Sequence, residues 1–178
     1  MHLDLPTLEA GLDEIRRSPA DDGKIELIVR RPAEDEREAL TEAQLDTAAG
    51  LIGDDWLRDD GNPLRQVTVM NARAVALLAR SRERWALAGD QLYVDLDLSG
   101  ENLPPGTRLE IGSAILEVTG EPHRGCKKFA ARFGLDALRF VNSKVGYSLN
   151  LRGINTQVVR SGVVRTGDIV RKLPPAGA

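Results

Sequence analysis

The sequence predicts an α+β fold, a β-rich and mostly antiparallel small barrel or curled sheet that carries several short helices. From Gly89 onward, apolar residues recur with a period of two, and short strand-like runs are separated by glycine turns. Helical and strand-like segments do not alternate regularly, which disfavours a parallel sheet of βαβ units. The 178 residues are 42% apolar and 29% charged, as is typical of one globular domain.

The N-terminal part of the chain predicts one helix and one strand. Leu8, Leu12 and Ile15 recur at helical spacing, so a helix is expected within residues 1–20. Residues 24–30 are rich in β-branched and aliphatic side chains and predict the first strand. We expect a single domain over residues 21–173, followed by a disordered tail at residues 174–178.

Two further helices are expected before residue 90. A Thr-x-x-Gln capping box predicts a helix over residues 41–52. Residues 66–70 predict a strand, after which Asn71 can cap a helix over residues 72–80.

The second half of the chain is dominated by predicted strands. Leu92, Val94, Leu96 and Leu98 alternate with other residues, which predicts a half-buried strand. Gly112-Ser113 has the composition of a two-residue hairpin turn. The predicted strands are residues 91–98, 107–111, 114–119, 156–160 and 169–173.

The lone cysteine, Cys126, is the main candidate for chemistry. Arg124, Lys127, Lys128 and Arg132 flank it, and nearby cations lower the pKa of a thiol and favour the reactive thiolate. Residues 127–141 predict short helices that begin just after the cysteine, so a helix dipole would add to this effect. The alternative is a buried cysteine that acts as a small apolar filler.

Charge is distributed unevenly along the chain. Residues 1–100 contain 12 Lys+Arg and 21 Asp+Glu, whereas residues 101–178 contain 12 and 6. The basic half contains Cys126, so we expect attraction for an anionic cofactor or an acidic partner surface. A merely solvated basic face remains the alternative. Nucleic acid is not expected as a partner, because the chain has seven aromatic residues and no base-binding motif.

Other patterns carry weaker signals. His123 and Cys126 have the spacing of a metal half-site, but a second ligand pair for structural zinc is missing from the sequence. A His123–Cys126 hydrolytic dyad has no independent support, so His123 is better interpreted as a polar loop or supporting residue. The ordinary roles of Asn102 and Arg152 are a turn and a surface cation. Glycine-rich phosphate-binding motifs are missing.

The composition also predicts a cytoplasmic protein that does not associate with a membrane. The first residues do not resemble a secretion signal, and no apolar run approaches the length of a membrane span, about 20 residues. A single cysteine cannot form an internal disulfide, which agrees with a reducing compartment.

Several motifs taken together resemble the MOSC domain family, named for the C-terminal domain of molybdenum cofactor sulfurases. They are the Gly-Glu-Asn-Leu loop at 100–103, the hairpin at Gly112, the His-Arg-Gly-Cys segment at 123–126, Arg-Phe-Gly at 132–134 and the closing run at 161–168. The resemblance extends over about residues 24–173.

The resemblance implies a β-rich barrel and two roles for Cys126. In the first, its thiolate binds molybdenum of the molybdenum cofactor (molybdopterin), and the protein reduces N-hydroxylated or related small molecules. In the second, Cys126 carries a persulfide delivered by a pyridoxal-phosphate-dependent sulfurase. The residues implied in cofactor binding are His123, Arg124, Lys127, Lys128, Arg132, Asn102 and Arg152.

The chain departs from the mitochondrial reductases of that family. We expect neither an additional N-terminal barrel domain nor an iron-sulfur or flavin domain, and His123 stands where those reductases have another cysteine. A reductase of this type would need a separate electron-donor protein. The sequence therefore leaves three alternatives: a molybdenum-dependent oxidoreductase, a sulfur carrier and a scaffold without catalysis.

Overall fold

The structure, a computed structural model, describes residues 2–58 and 61–175. Its strands are β1 (Gly23–Arg30), β2 (Glu38–Leu40), β3 (Glu42–Asp46), β4 (Gly50–Leu51), β5 (Val67–Asn71), β6 (Leu92–Asp95), β7 (Arg108–Ile111), β8 (Ala114–Val118), β9 (Ile154–Arg160), β10 (Gly162–Arg165) and β11 (Ile169–Lys172). Its α-helices are α1 (Leu5–Ala10), α2 (Leu12–Arg16), α3 (Ala72–Ala79), α4 (Lys127–Phe133), α5 (Leu135–Val141) and α6 (Lys144–Ser148). Short 3-10 helices occur at Trp56–Arg58, Pro63–Arg65 and Arg82–Ala88.

Seven strands form a closed barrel in the order β11-β7-β8-β9-β5-β6-β1, and pairing of β1 with β11 closes it. Strands β5 and β6 run parallel, while the other pairs around the ring are antiparallel. Strand β2 extends the sheet beyond β1, and β10, β3 and β4 form a separate small sheet. The predicted fold class is confirmed.

The apolar residues form two clusters, one inside the barrel and one between its outer wall and the helices. Strand β6 contributes to both. Leu92 and Val94 pack inside the barrel, as the alternation predicts, and Tyr93 packs in the helical layer. The strand is therefore buried on both faces rather than half-buried, because helices cover the outside of the barrel at this point.

The predicted helix over residues 41–52 is wrong. This stretch forms β3 and β4, joined by a turn in which the Asp46 carboxylate accepts hydrogen bonds from the backbone N–H groups of Ala48 and Ala49. Strand β10 pairs with β3 and buries Ala43 and Leu45. The pairing partner is more than 110 residues away, so the local capping pattern gave no sign of it.

The predicted cap of α3 is confirmed. The Asn71 side-chain oxygen accepts a hydrogen bond from Ala74 N–H at 2.9 Å. Its amide nitrogen donates to Ser18 Oγ and to the Leu96 carbonyl oxygen, both at 2.8 Å. One buried side chain thus joins α3 to the N-terminal segment and to the end of β6.

The two ends of the chain differ in detail from the sequence-based expectations. The stretch expected to hold one N-terminal helix contains two, α1 and α2, with Gly11 between them. Of the expected tail, Pro174 and Pro175 have no regular secondary structure, and residues 176–178 lie outside the described residues.

In the described part of the chain, none of the helices combines the length and apolar character required to cross a membrane.

The hairpin at Gly112 offers a test of the barrel geometry. Gly112 has φ +55°, and a Cβ there would clash with the Val163 carbonyl oxygen. We expect Gly112→Ala to lower the free energy of unfolding by about 2–4 kcal/mol, because the turn and β10 would both have to shift. Chemical denaturation measures this. Gly100→Ala is the matched control, since a Cβ there meets no atom within 4 Å. Equal losses in the free energy of unfolding in Gly112→Ala and Gly100→Ala would contradict the close packing at Gly112.

Candidate functional site

Cys126 lies at the N-cap of α4, and its side chain is exposed. The preceding residue is held in place by Asn142, whose side-chain oxygen accepts from Gly125 N–H at 2.9 Å and whose amide nitrogen donates to Gly125 O at 3.0 Å. The helical pieces predicted after the cysteine are α4 and α5. The Cys126 side chain is therefore exposed rather than buried in the core. Hydrogen bonds from Asn142 hold both the N–H and the carbonyl group of the residue before it.

Cys126 borders a hollow of about 240 Å³ that is lined by many charged side chains. This cationic hollow lies between α4, the segment after β1 and the loop before β6. Its cations are Arg31, Arg37, Arg58, Lys128, Arg132 and Arg152, and its acidic residues are Glu34, Asp35 and Asp55. Trp56 and Phe129 supply apolar wall.

The surroundings of Arg37 indicate an excess of positive charge in the cationic hollow. Its Nε is buried without a hydrogen-bond partner among the described residues, and Nη1 donates only to the carbonyl oxygen of the neighbouring Glu36. Burial, followed by repulsion from Arg132 and Arg31, lowers the pKa of Arg37 below its ordinary value. A guanidinium destabilised by other guanidinium groups favours the binding of an anion beside it.

Two acidic side chains partly neutralise the positive charge of the cationic hollow. Glu34 pairs with Lys128 at 3.0 Å, and Asp35 pairs with Arg132 at 3.1 Å. The Glu34 and Asp35 side chains are more than 60% exposed, and ion pairs with exposed carboxylates are weak because solvent screens them. A ligand anion can therefore displace these carboxylates at small cost.

Asp90 is a fully buried carboxylate behind His123 and Arg152, two residues that line the hollow. Its Oδ2 accepts from Arg152 Nη1 at 2.5 Å, and its Oδ1 lies 2.8 Å from His123 Nε2. Burial alone would raise the pKa of Asp90, but Arg152 and His123 outweigh it and lower the value to about 2. The carboxylate is therefore ionised at neutral pH and holds both neighbours in place.

The same cluster orients Arg152. Nη2 of Arg152 donates to the Ala88 carbonyl oxygen at 2.9 Å, its guanidinium lies 5.1 Å from the centre of the Phe129 ring, and its Nε is buried without a partner in the described structure. Only 9% of the side chain is exposed. Arg152 is thus a fixed buried cation rather than the surface cation that its sequence context suggested.

A second hollow of about 270 Å³ lies on the other side of His123 and Arg152, which line both. Arg124 and Tyr147 belong to this second hollow, where the Arg124 guanidinium stacks 3.5 Å from the centre of the Tyr147 ring. Arg124 therefore faces away from the cationic hollow.

The structure brings together five of the eight residues singled out from the sequence: Cys126, His123, Lys128, Arg132 and Arg152. Asn102 lies elsewhere. Its amide nitrogen donates to the carbonyl oxygens of Ala20 and Asp97, and its oxygen accepts from Lys172 Nζ at 2.8 Å. Lys127 is exposed on α4 and does not belong to the described lining of the cationic hollow.

Sequence reasoning missed Arg31, Arg37, Arg58 and Asp90. Arg31 forms a two-point ion pair with buried Asp54, at 2.9 Å from Nε and 2.7 Å from Nη2. All four residues lie at least 33 positions from His123 and reach the site only because the barrel closes. No local motif marks them.

Over residues 2–58 and 61–175, no group of three or more His, Cys, Asp and Glu side chains is arranged to hold a metal ion.

Comparisons with known proteins agree with the fold. The family model of the MOSC domain matches residues 57–171. Among solved structures, the YuaD protein from Bacillus subtilis is 19% identical with a TM-score of 0.61, covering 83% of this chain and 93% of its own. YiiM from Escherichia coli is 18% identical with a TM-score of 0.59, covering 87% and 72%. YiiM from Geobacillus stearothermophilus is 14% identical with a TM-score of 0.58, covering 85% and 75%. No curated protein matches.

The buried Asp90 cluster predicts a specific pH dependence of stability. Asp90→Asn leaves the Arg152 charge buried without an ionised partner, so we expect a loss of about 3–5 kcal/mol in the free energy of unfolding at pH 7. The folded pKa of Asp90 lies below the ordinary 3.8. Its contribution is therefore present above pH 4 and is lost as the pH falls toward 2.

Chemical denaturation of both proteins between pH 7 and pH 2.5 measures this difference. The difference in the free energy of unfolding between wild type and Asp90→Asn should decrease below pH 4. Asp13→Asn is the control, because the Asp13 carboxylate is 89% exposed. A difference in the free energy of unfolding that stays constant with pH would contradict an ionised Asp90.

Proposed function

Because the chain belongs to the MOSC domain family, we propose that it binds the molybdenum cofactor, with the Cys126 thiolate as the protein ligand of molybdenum. The cationic hollow would hold the phosphate of the pterin. The observation that carries this proposal is an exposed thiol at the edge of a hollow in which, among the described residues, Arg37 forms no ion pair and is repelled by Arg132 and Arg31. A dianionic phosphate supplies the missing negative charge.

The hydrogen-bonding groups of the hollow fit such a ligand. The Nε atoms of Arg37 and Arg152 are buried without protein partners in the described structure. A buried donor without an acceptor costs about 1–3 kcal/mol, so an anion that accepts from these guanidinium groups recovers this energy. Lys128 and Arg132 become available when Glu34 and Asp35 are displaced. Asn102 and Lys127, which lie elsewhere, are not part of this proposal.

A single cysteine also suits molybdenum that is held by a pterin. Soft thiolate ligands suit such a metal, and the cofactor would bring its own sulfur ligands besides Cys126. Cys126 then needs no other protein ligand. When bound, the cofactor supplies a centre for two-electron oxidation and reduction. The protein's own part is to bind the phosphate, present the thiolate and position the groups around it.

With the cofactor bound, we propose reduction of N-hydroxylated or related small molecules, with electrons supplied by a separate electron-donor protein. The second hollow supports this, because it shares His123 and Arg152 with the cationic hollow and could hold a small molecule beside the proposed cofactor site.

A sulfur carrier is the second candidate function, and the exposure of Cys126 favours it. In this role, the Cys126 thiolate attacks the outer sulfur of a persulfide on a pyridoxal-phosphate-dependent sulfurase. A new S–S bond forms on Cys126, and the sulfurase cysteine leaves as a thiolate.

Molybdenum content tests the first proposal. Protein purified from cells that make the cofactor should contain close to equimolar molybdenum by mass spectrometry of the metal. Cys126→Ser should lower the content at least about tenfold through loss of the protein ligand. Arg37→Gln should lower it as well, whereas Arg108→Gln, which removes an exposed ion pair with Glu117, should not. Molybdenum that is absent from wild type, or unchanged in Cys126→Ser, would overturn the proposal.

Intact-mass measurement tests the carrier role. After incubation with a cysteine sulfurase and cysteine, a carrier gains about 32 Da on Cys126, the mass of one sulfur atom. Cys126→Ser should show no gain, and a reductant should remove the adduct from wild type. No adduct on wild type would exclude the carrier role and leave the cofactor proposal unaffected.

A further inference from the structure

Asp90 determines which nitrogen of His123 carries the proton. An ionised carboxylate can only accept hydrogen bonds, so His123 Nε2 must donate to Asp90 Oδ1 across their 2.8 Å separation. Arg152 occupies the other carboxylate oxygen. The neutral imidazole is therefore protonated at Nε2, and the lone pair is on Nδ1.

The free nitrogen is accessible. No described residue forms a hydrogen bond to Nδ1 of His123, and 17% of the side chain is exposed. His123 borders both the cationic hollow, which it shares with Cys126, and the second hollow. The ring thus stands between the proposed cofactor site and the second hollow.

The surroundings keep this imidazole neutral and ready to accept a proton. Burial, followed by the charges of Arg152 and Arg31, lowers the pKa of His123, while Asp90 acts in the opposite direction. A transient imidazolium would be stabilised by the Asp90 carboxylate, as in other Asp–His pairs, and would release its proton readily.

We propose that His123 is the proton-transfer residue of the reduction proposed above, and that Asp90 is the positioning residue that holds it. This inference rests on the proposed function. Reduction of an N–OH group breaks one N–O bond, forms one N–H and one O–H bond, and releases water. It uses two protons and two electrons, the electrons from the separate donor protein. His123 Nδ1 first accepts a proton from solvent and then delivers it to the leaving oxygen, and solvent supplies the second proton as well.

A purely structural role for His123, as a partner for Asp90, makes different predictions. Glutamine at this position can still donate to Asp90 but cannot carry a proton at neutral pH. If the role is structural, His123→Gln preserves activity as well as folding.

Nitrogen-15 NMR of labelled histidine tests the tautomer without any cofactor. The chain has two histidines, so His2→Gln assigns the His123 signals directly. We expect Nε2 to be protonated and Nδ1 unprotonated at pH 7, and we expect Asp90→Asn to lose this preference. Protonation of Nδ1 in wild type would overturn the inference. The wild-type signal decides this even if Asp90→Asn does not fold.

Kinetics test the role itself in the molybdenum-loaded protein, with a chemically reduced viologen as electron donor and an N-hydroxylated amidine as substrate. His123→Gln should lower kcat about 100-fold while KM stays within about twofold of wild type and molybdenum content is unchanged. His2→Gln should match wild type. An unchanged kcat in His123→Gln overturns the inference alone. A wild-type protein without molybdenum, or without this activity, overturns the proposed function and the inference with it.

Discussion

The buried carboxylate of Asp90 is the interaction on which the site depends. It lies two residues before β6 and binds Arg152 and His123, which follow it by 62 and 33 positions in sequence. Gly153, with φ +117°, allows the close packing, because a Cβ there would lie 2.6 Å from the Val69 carbonyl oxygen and 3.1 Å from His123. The barrel wall, the loop before α4 and the start of β9 thus meet at one ionised group. The low pKa of Asp90 reflects its strong interactions with Arg152 and His123.

The charge of the cationic hollow follows from this arrangement. Asp90 is already neutralised by Arg152, and Asp54 by Arg31, so neither carboxylate offsets Arg37. Glu34 and Asp35 are exposed and weakly paired, which leaves them exchangeable. An exposed thiol beside such a hollow suits a ligand that combines a soft metal with an anionic tail. The fold positions these groups through barrel closure rather than through a local motif.

The sequence predicted those parts of the structure that local patterns determine. Asn71 as a cap, the hairpin at Gly112 and the helices after Cys126 all follow from neighbouring residues. The stretch 41–52 was mispredicted because its partner strand, β10, lies far away in sequence. Three cations of the hollow, Arg31, Arg37 and Arg58, could not be predicted for the same reason. Arg37 arrives on the segment between β1 and β2, while Arg124, adjacent to Cys126 in sequence, turns toward Tyr147 instead.

The central claim is that the hollow beside Cys126 receives molybdenum in its cofactor. Crystals of protein purified from cofactor-producing cells, measured on both sides of the molybdenum absorption edge, test it most directly. The account predicts one anomalous peak at bonding distance from Cys126 Sγ, with phosphate density next to Arg37. Molybdenum bound away from Cys126, or a hollow that contains only solvent in metal-loaded crystals, would contradict it.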